Sequence, residues 1–132
     1  MPARSAQTAA KPRTILLVED SEDDALLFLL ALRKSGIKAR AHRVENGLVA
    51  IAYLERVRDT RLWPDVIMLD WNMPEMDGST FMRWFHKQTF ERTPAIIALT
   101  ATEEPHHLRN IMAFGVTHWI KPVTTQKLCC MA

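Results

Sequence analysis

The sequence predicts an α/β fold: a five-stranded parallel sheet with helices on both faces, in (βα)5 order. Three observations point there. Short apolar runs, Ile15–Val18, Val66–Leu69 and Ala95–Leu99, alternate with stretches of helical periodicity. These runs are continuously apolar, as strands buried on both faces require. Their carboxyl ends carry polar residues: Glu19 and Asp20, then Asp70, then Thr100, and Lys121 after a further run. Right-handed crossovers gather such ends on one edge of the sheet, where open α/β sheets bind ligands.

The first strand spans Thr14 to Val18. Ser21 with Asp24 three residues later reads as a capping box, and acids crowd the following turn, where the helix dipole favours them. The first helix therefore runs from about Glu22 to Lys34 and stops at Gly36. Leu26, Leu29, Leu30 and Arg33 trace its spacing. A short second strand covers Ala39 to Val44. The second helix, from about Gly47 to Arg58, repeats Leu48, Ile51, Ala52 and Leu54 at helical intervals.

Trp63-Pro64-Asp65 opens the third strand. Pro74 and Gly78 punctuate the loop after Asp70, and the third helix carries Phe81, Met82, Trp84 and Phe85. The fourth strand follows Pro94. Pro105 suits the first turn of the fourth helix, with Leu108, Ile111 and Met112 as its buried stripe and Gly115 as its end. The fifth strand is about Thr117 to Ile120. A final helix can start only near Thr124, which leaves at most nine residues.

At 132 residues the chain has enough length for one domain with a real core. A formal net charge of +2 is too small to imply nucleic-acid binding. No apolar run approaches the roughly 18 residues of a membrane span. The two cysteines, Cys129 and Cys130, are adjacent and lack metal-ligand spacing, as expected of reduced thiols in a cytoplasmic protein. Residues 1–12 carry no acid and no apolar face and read as a disordered leader; residues 13–132 form the domain. His42, His86, His106 and His107 are expected to face solvent.

Carboxylates gathered at one sheet edge repel. Two such charges at 4 Å cost about 4 kcal/mol at an effective dielectric of 20. Either a proton is taken up or a cation sits among them. Mg2+ suits hard oxygen ligands and is commonly held by one or two carboxylates plus a phosphate. Asp70 then has a possible role as a nucleophile toward phosphorus, with Lys121 and Thr100 placed to meet phosphoryl oxygens.

The segments Ile15-Leu16-Leu17-Val18-Glu19-Asp20, Leu69-Asp70-Trp71-Asn72-Met73-Pro74-Glu75-Met76-Asp77-Gly78, Ala98-Leu99-Thr100-Ala101 and Lys121-Pro122 closely resemble the receiver domain of two-component response regulators. The Asp-Trp-Asn-Met-Pro loop is most similar to chemotaxis-type single-domain receivers, and the acidic opening Glu19–Asp24 to those paired with phytochrome-type kinases. The resemblance implies a flavodoxin-like fold. It implies that Asp70 accepts a phosphoryl group from a phosphohistidine on a sensor histidine kinase or a histidine phosphotransfer protein. It implies a Mg2+ site of Asp20, Asp70 and the backbone carbonyl of Asn72, with Glu19 acting through water. Thr100 and Lys121 would engage the phosphoryl oxygens, Ala101 would leave access to phosphorus, and Asn72 and Thr102 would tune hydrolysis. The surface of the fourth helix, fifth strand and fifth helix would then change, bind an unknown protein target, and offer a face for a homodimer.

Two features depart from the family pattern. Gly115 to Lys121 is one residue shorter than usual, so the switch aromatic falls at His118 or at its neighbour Trp119. Counting back from Lys121 favours His118, which could also make the switch sensitive to pH. The final helix is also short.

The expected function is a stand-alone phosphoacceptor switch, or a relay intermediate passing phosphate onward. A phosphatase of the haloacid-dehalogenase type also uses a strand-end Asp and Mg2+, but needs a second Asp two positions on, where this chain has Asn72. A degenerate docking module would not need the intact set of Asp20, Asp70, Thr100 and Lys121.

Overall fold

The computed structural model describes residues 12–73 and 76–122. Its elements, in chain order, are β1 (Arg13–Val18), α1 (Glu22–Ser35), β2 (Ala39–Val44), α2 (Gly47–Val57), β3 (Val66–Asp70), α3 (Gly78–His86), β4 (Ala95–Leu99), α4 (Pro105–Ala113) and β5 (His118–Ile120). The five strands form one parallel sheet in the order β2-β1-β3-β4-β5. The expected α/β architecture is thus the one found. Residues 1–11 of the expected leader, Pro74, Glu75, the final helix expected from Thr124 and the Cys129–Cys130 pair lie outside the described residues.

Strand alternation divides the interior into two cores. On one face Leu16, Val18, Ile67, Leu69, Ile96 and Ala98 meet Ala50, Leu54, Phe81, Met82 and Ile111. On the other, Ile15, Leu17, Met68 and Leu99 meet Ala25, with Phe28 and Leu32 packed alongside.

Local signals set the helix ends. The Ser21 hydroxyl accepts the N–H of Asp24 at 3.2 Å, and Gly36 closes α1 in the left-handed region at φ 79°. Asn46, Asp77 and Glu104 cap α2, α3 and α4. The Asp77 carboxyl is held below its ordinary range by the N–H of Thr80 and the hydroxyl of Ser79.

Helix faces differ from the expected stripes. Leu26 is 56% exposed, Leu48 55% and Met112 40%, and Ala52 is also exposed. Ala25 and Ala31 are buried in α1, and Ala50, Tyr53, Leu54 and Val57 in α2. In α1 the small alanines are buried and Leu26 falls on the outer flank, whereas in α2 Leu48 falls outside and Leu54 is buried as its spacing predicts. Two histidines also depart from a purely solvated role. The ring of His42 stacks on Tyr53 with centroids 4.4 Å apart, and His86 Nε2 lies 2.6 Å from the carbonyl oxygen of Phe114.

Trp71, directly after β3, is buried and packs near Phe114 with centroids 5.8 Å apart. Its carbonyl accepts the N–H of Gly78 at 3.0 Å. A β-carbon at Gly78 would fall inside the indole. Gly78→Ala is therefore expected to destabilise the fold by about 1–3 kcal/mol through overpacking, read as a lower midpoint in urea unfolding with an unchanged slope.

Candidate functional site

The switch in strand order puts the ends of β1 and β3 side by side, Val18 opposite Leu69. This is where open α/β sheets leave a crevice. Glu19 and Asp20 follow β1 and Asp70 ends β3. Carboxylate oxygens of the three lie within 4.8 Å of one another. Glu19 is buried, Asp70 half-buried and Asp20 exposed.

Hydrogen bonds fix the loops around them. The main-chain N–H of Glu19 donates to Val44 at 3.0 Å, which extends the β1–β2 ladder beyond the strand. Glu19 Oε2 accepts the N–H of Ser21 at 3.1 Å, and Asp70 Oδ1 accepts the N–H of Asn72 at 3.2 Å. Asn72 is exposed between the buried Trp71 and Met73, so its main chain stays at the crevice.

Burial, reinforced by the charge of Asp70, pushes the Glu19 carboxyl from its ordinary 4.5 up to about 8. Burial raises Asp70 as well. Of this pair Glu19 holds the proton: each carboxyl accepts one backbone N–H, but their mutual contact raises Glu19 and lowers Asp70. An all-oxygen donor set that takes up a proton to relieve its own repulsion fits a hard divalent cation, which would displace that proton.

The other expected residues occupy the neighbouring strand ends. Thr100, 1% exposed, follows β4; its hydroxyl accepts the N–H of Thr102 at 3.3 Å. Ala101 is exposed and Thr102 half-buried. Lys121 follows β5. Its amine pairs with Glu103 Oε2 at 3.2 Å, an exposed ion pair (42% and 76% for the two side chains) rather than a contact with the acid cluster.

Within β5 the two candidate aromatics part. Trp119 pairs with Ala98 and packs against the larger core, whereas His118 pairs with Ile97 and is exposed. Alternation puts Trp119 on the face of Ala98.

Sequence reasoning missed one residue here. Arg43, near the end of the edge strand β2, donates from Nε to the Glu19 carbonyl at 3.0 Å and from a terminal guanidinium nitrogen to the Asp20 carbonyl at 3.1 Å. Nothing in its sequence neighbourhood distinguishes it from a solvated strand arginine.

A model of the response regulator receiver domain matches residues 15–132. The chain is 33% identical over 117 residues to the polar-differentiation response regulator DivK of Brucella anthropi, covering 88% of this chain and 89% of that one. It is 31% identical over 96 residues to the response regulator Rcp1 of Synechocystis sp., covering 70% of this chain; the match spans 65% of Rcp1. Among solved structures, the bacteriophytochrome response regulator AtBRR superposes with a TM-score of 0.72 at 27% identity, covering 92% and 91% of the two chains. Among the described residues no helix is long and apolar enough to cross a membrane.

The raised Glu19 carboxyl has a definite sign in stability. Metal-free folded protein keeps a proton that the unfolded chain releases above pH 4.5. Stability is therefore lost as pH rises from 4.5 to about 8, then levels. Calorimetry without metal is expected to show Tm falling across that range, with a flatter profile in Glu19→Gln. Added Mg2+ should raise Tm more at the alkaline end, where it has no proton to displace.

Proposed function

The chain belongs to the response regulator receiver family, a family of phosphoryl-accepting signalling domains, and from that premise we propose that Asp70 is its phosphoacceptor in a Mg2+-dependent switch. The observation that carries this reading is the convergence of Glu19, Asp20 and Asp70 at the β1/β3 crevice, with the Thr100 hydroxyl on the next strand end.

Asp20, Asp70 and the Asn72 carbonyl would hold the ion, with Glu19 acting through water. Bound Mg2+ supplies positive charge against the phosphoryl oxygens. An Asp70 carboxylate oxygen attacks phosphorus; the P–O bond forms as the P–N bond to the donor imidazole breaks, and the departing nitrogen gains a proton from solvent. The donor is a phosphohistidine on a sensor histidine kinase or a histidine phosphotransfer protein, in the cytoplasm.

Lys121 must then turn from Glu103 to the phosphoryl group. An exposed Lys–Glu pair is worth only about 0–1 kcal/mol, whereas a bond between two charged groups in the crevice is roughly twice as strong as a neutral one. Glu103 therefore does not hold the amine back. Ala101 leaves the approach open, and Asn72 and Thr102 flank it and set the rate of hydrolysis.

Reading-out requires Thr100 to move toward the phosphoryl group. We assign the coupled aromatic to Trp119 rather than His118, because Trp119 shares the packed face of β4. Taking the equilibrium from 1:99 to 99:1 needs about 5.5 kcal/mol of preference for the active form. The changed surface around α4 and β5 then meets a protein target.

Incubation with acetyl phosphate and Mg2+, followed by intact mass measurement, tests the assignment. One phosphoryl adduct is expected, not formed when a chelator is present from the start and absent in Asp70→Asn. Lys121→Ala should slow its formation by about 10²–10³-fold, the usual loss for one oxyanion-stabilising group. An unmodified wild-type protein, or an adduct that survives in Asp70→Asn, would overturn the reading.

A further inference from the structure

We propose that Arg43 is a positioning residue for the cation site, one that sets the acid loop through its main chain. This rests on the Mg2+ reading given above. Arg43 sits one residue before the end of β2, in register with Leu17 of β1. Ala39 and Ala41 pack on the smaller core, so alternation puts Arg43 on that same face, pointing past the strand end toward the β1–α1 loop. Its guanidinium forks onto two consecutive carbonyls, those of Glu19 and Asp20.

The choice of acceptor matters. Among the described residues Arg43 enters no ion pair; those present are Arg92–Asp65 and Lys121–Glu103. The guanidinium thus orders the segment bearing both acids while leaving their carboxylates to a cation. Two consecutive peptide planes held by one planar fork cannot rotate independently, and peptide orientation fixes where the Glu19 and Asp20 side chains leave the chain. The Glu19 N–H bond to Val44 anchors the same segment from its other side. An Arg does this and a Lys does not, since the ammonium is a point donor without the fork.

Charge alone predicts the opposite sign. Removing a cation beside three carboxylates strengthens their attraction for Mg2+, so a purely electrostatic Arg43 would weaken binding in the wild type. A positioning Arg43 strengthens it. Groups that orient metal ligands typically carry 10–100-fold in affinity.

The test is Mg2+ titration of the full chain at constant ionic strength, followed by amide shifts of Asp20, Asp70 and Asn72, for wild type, Arg43→Ala and Arg43→Lys. Arg43→Ala is expected to raise the Mg2+ Kd about tenfold. Arg43→Lys, which keeps the charge and loses the fork, should bind Mg2+ at least as weakly as Arg43→Ala. Faster hydrogen exchange at the Ser21 amide is expected in both variants without metal. Unchanged or tighter binding in Arg43→Ala, with the wild type binding normally, overturns the proposal and leaves the Mg2+ reading standing. A Lys variant equal to wild type does the same, since the fork is then not needed. A wild type that binds no Mg2+ overturns both. Should Arg43→Ala not fold, the Lys variant alone decides.

Discussion

Mutual repulsion of three carboxylates is the constraint around which this molecule is built. Glu19, Asp20 and Asp70 would separate in a flexible chain. Here they are held because β1 and β3 are adjacent, parallel and buried on both faces. The cores of Leu16, Leu17, Ile67 and Leu69 are fully covered, and their burial sets the register that brings the acids together. The repulsion is relieved by protonation of Glu19, and a divalent cation in the crevice would relieve it in the proton's place. The site is thus a place where the fold holds charge that it does not itself neutralise.

Much of this was legible in the chain. Continuous apolar runs mark strands buried on both faces, and the residue after each run marks the sheet edge, so Asp70, Glu19, Asp20 and Thr100 could be located from hydropathy alone. Ser21, Gly36 and Pro105 announced their helix ends through local chemistry. Helix faces were harder. Leu26 and Leu48 obey helical spacing yet face outward, because periodicity gives a stripe but not which of two overlapping stripes the sheet accepts. The sheet accepted Ala25 and Ala50, which allow close approach. Arg43 was not legible at all: its partners are carbonyls, which every residue has, and they lie more than twenty positions away.

The aromatic layer beneath the site joins it to the rest of the molecule. Trp71 follows Asp70 directly, packs on the helix start at Gly78 and reaches Phe114. Phe114 is held in turn by Arg83 over its ring at 5.5 Å and by His86 at its carbonyl. The start of α3, its end and the end of α4 therefore share one set of contacts. A continuous packed route therefore runs from the residue after Asp70 to the end of α4.

The brevity of β5 carries its own consequence. Only three residues pair it to β4, at the open margin of the sheet. The ladder is carried on at its ends by the N–H of Thr117 to the Ile96 carbonyl and the N–H of Thr100 to the Ile120 carbonyl. The amine of Lys121 hangs from that margin, whereas the acids hang from the interior strands. The acids thus follow strands paired on both sides, whereas among the described residues the amine follows a strand paired on one side alone.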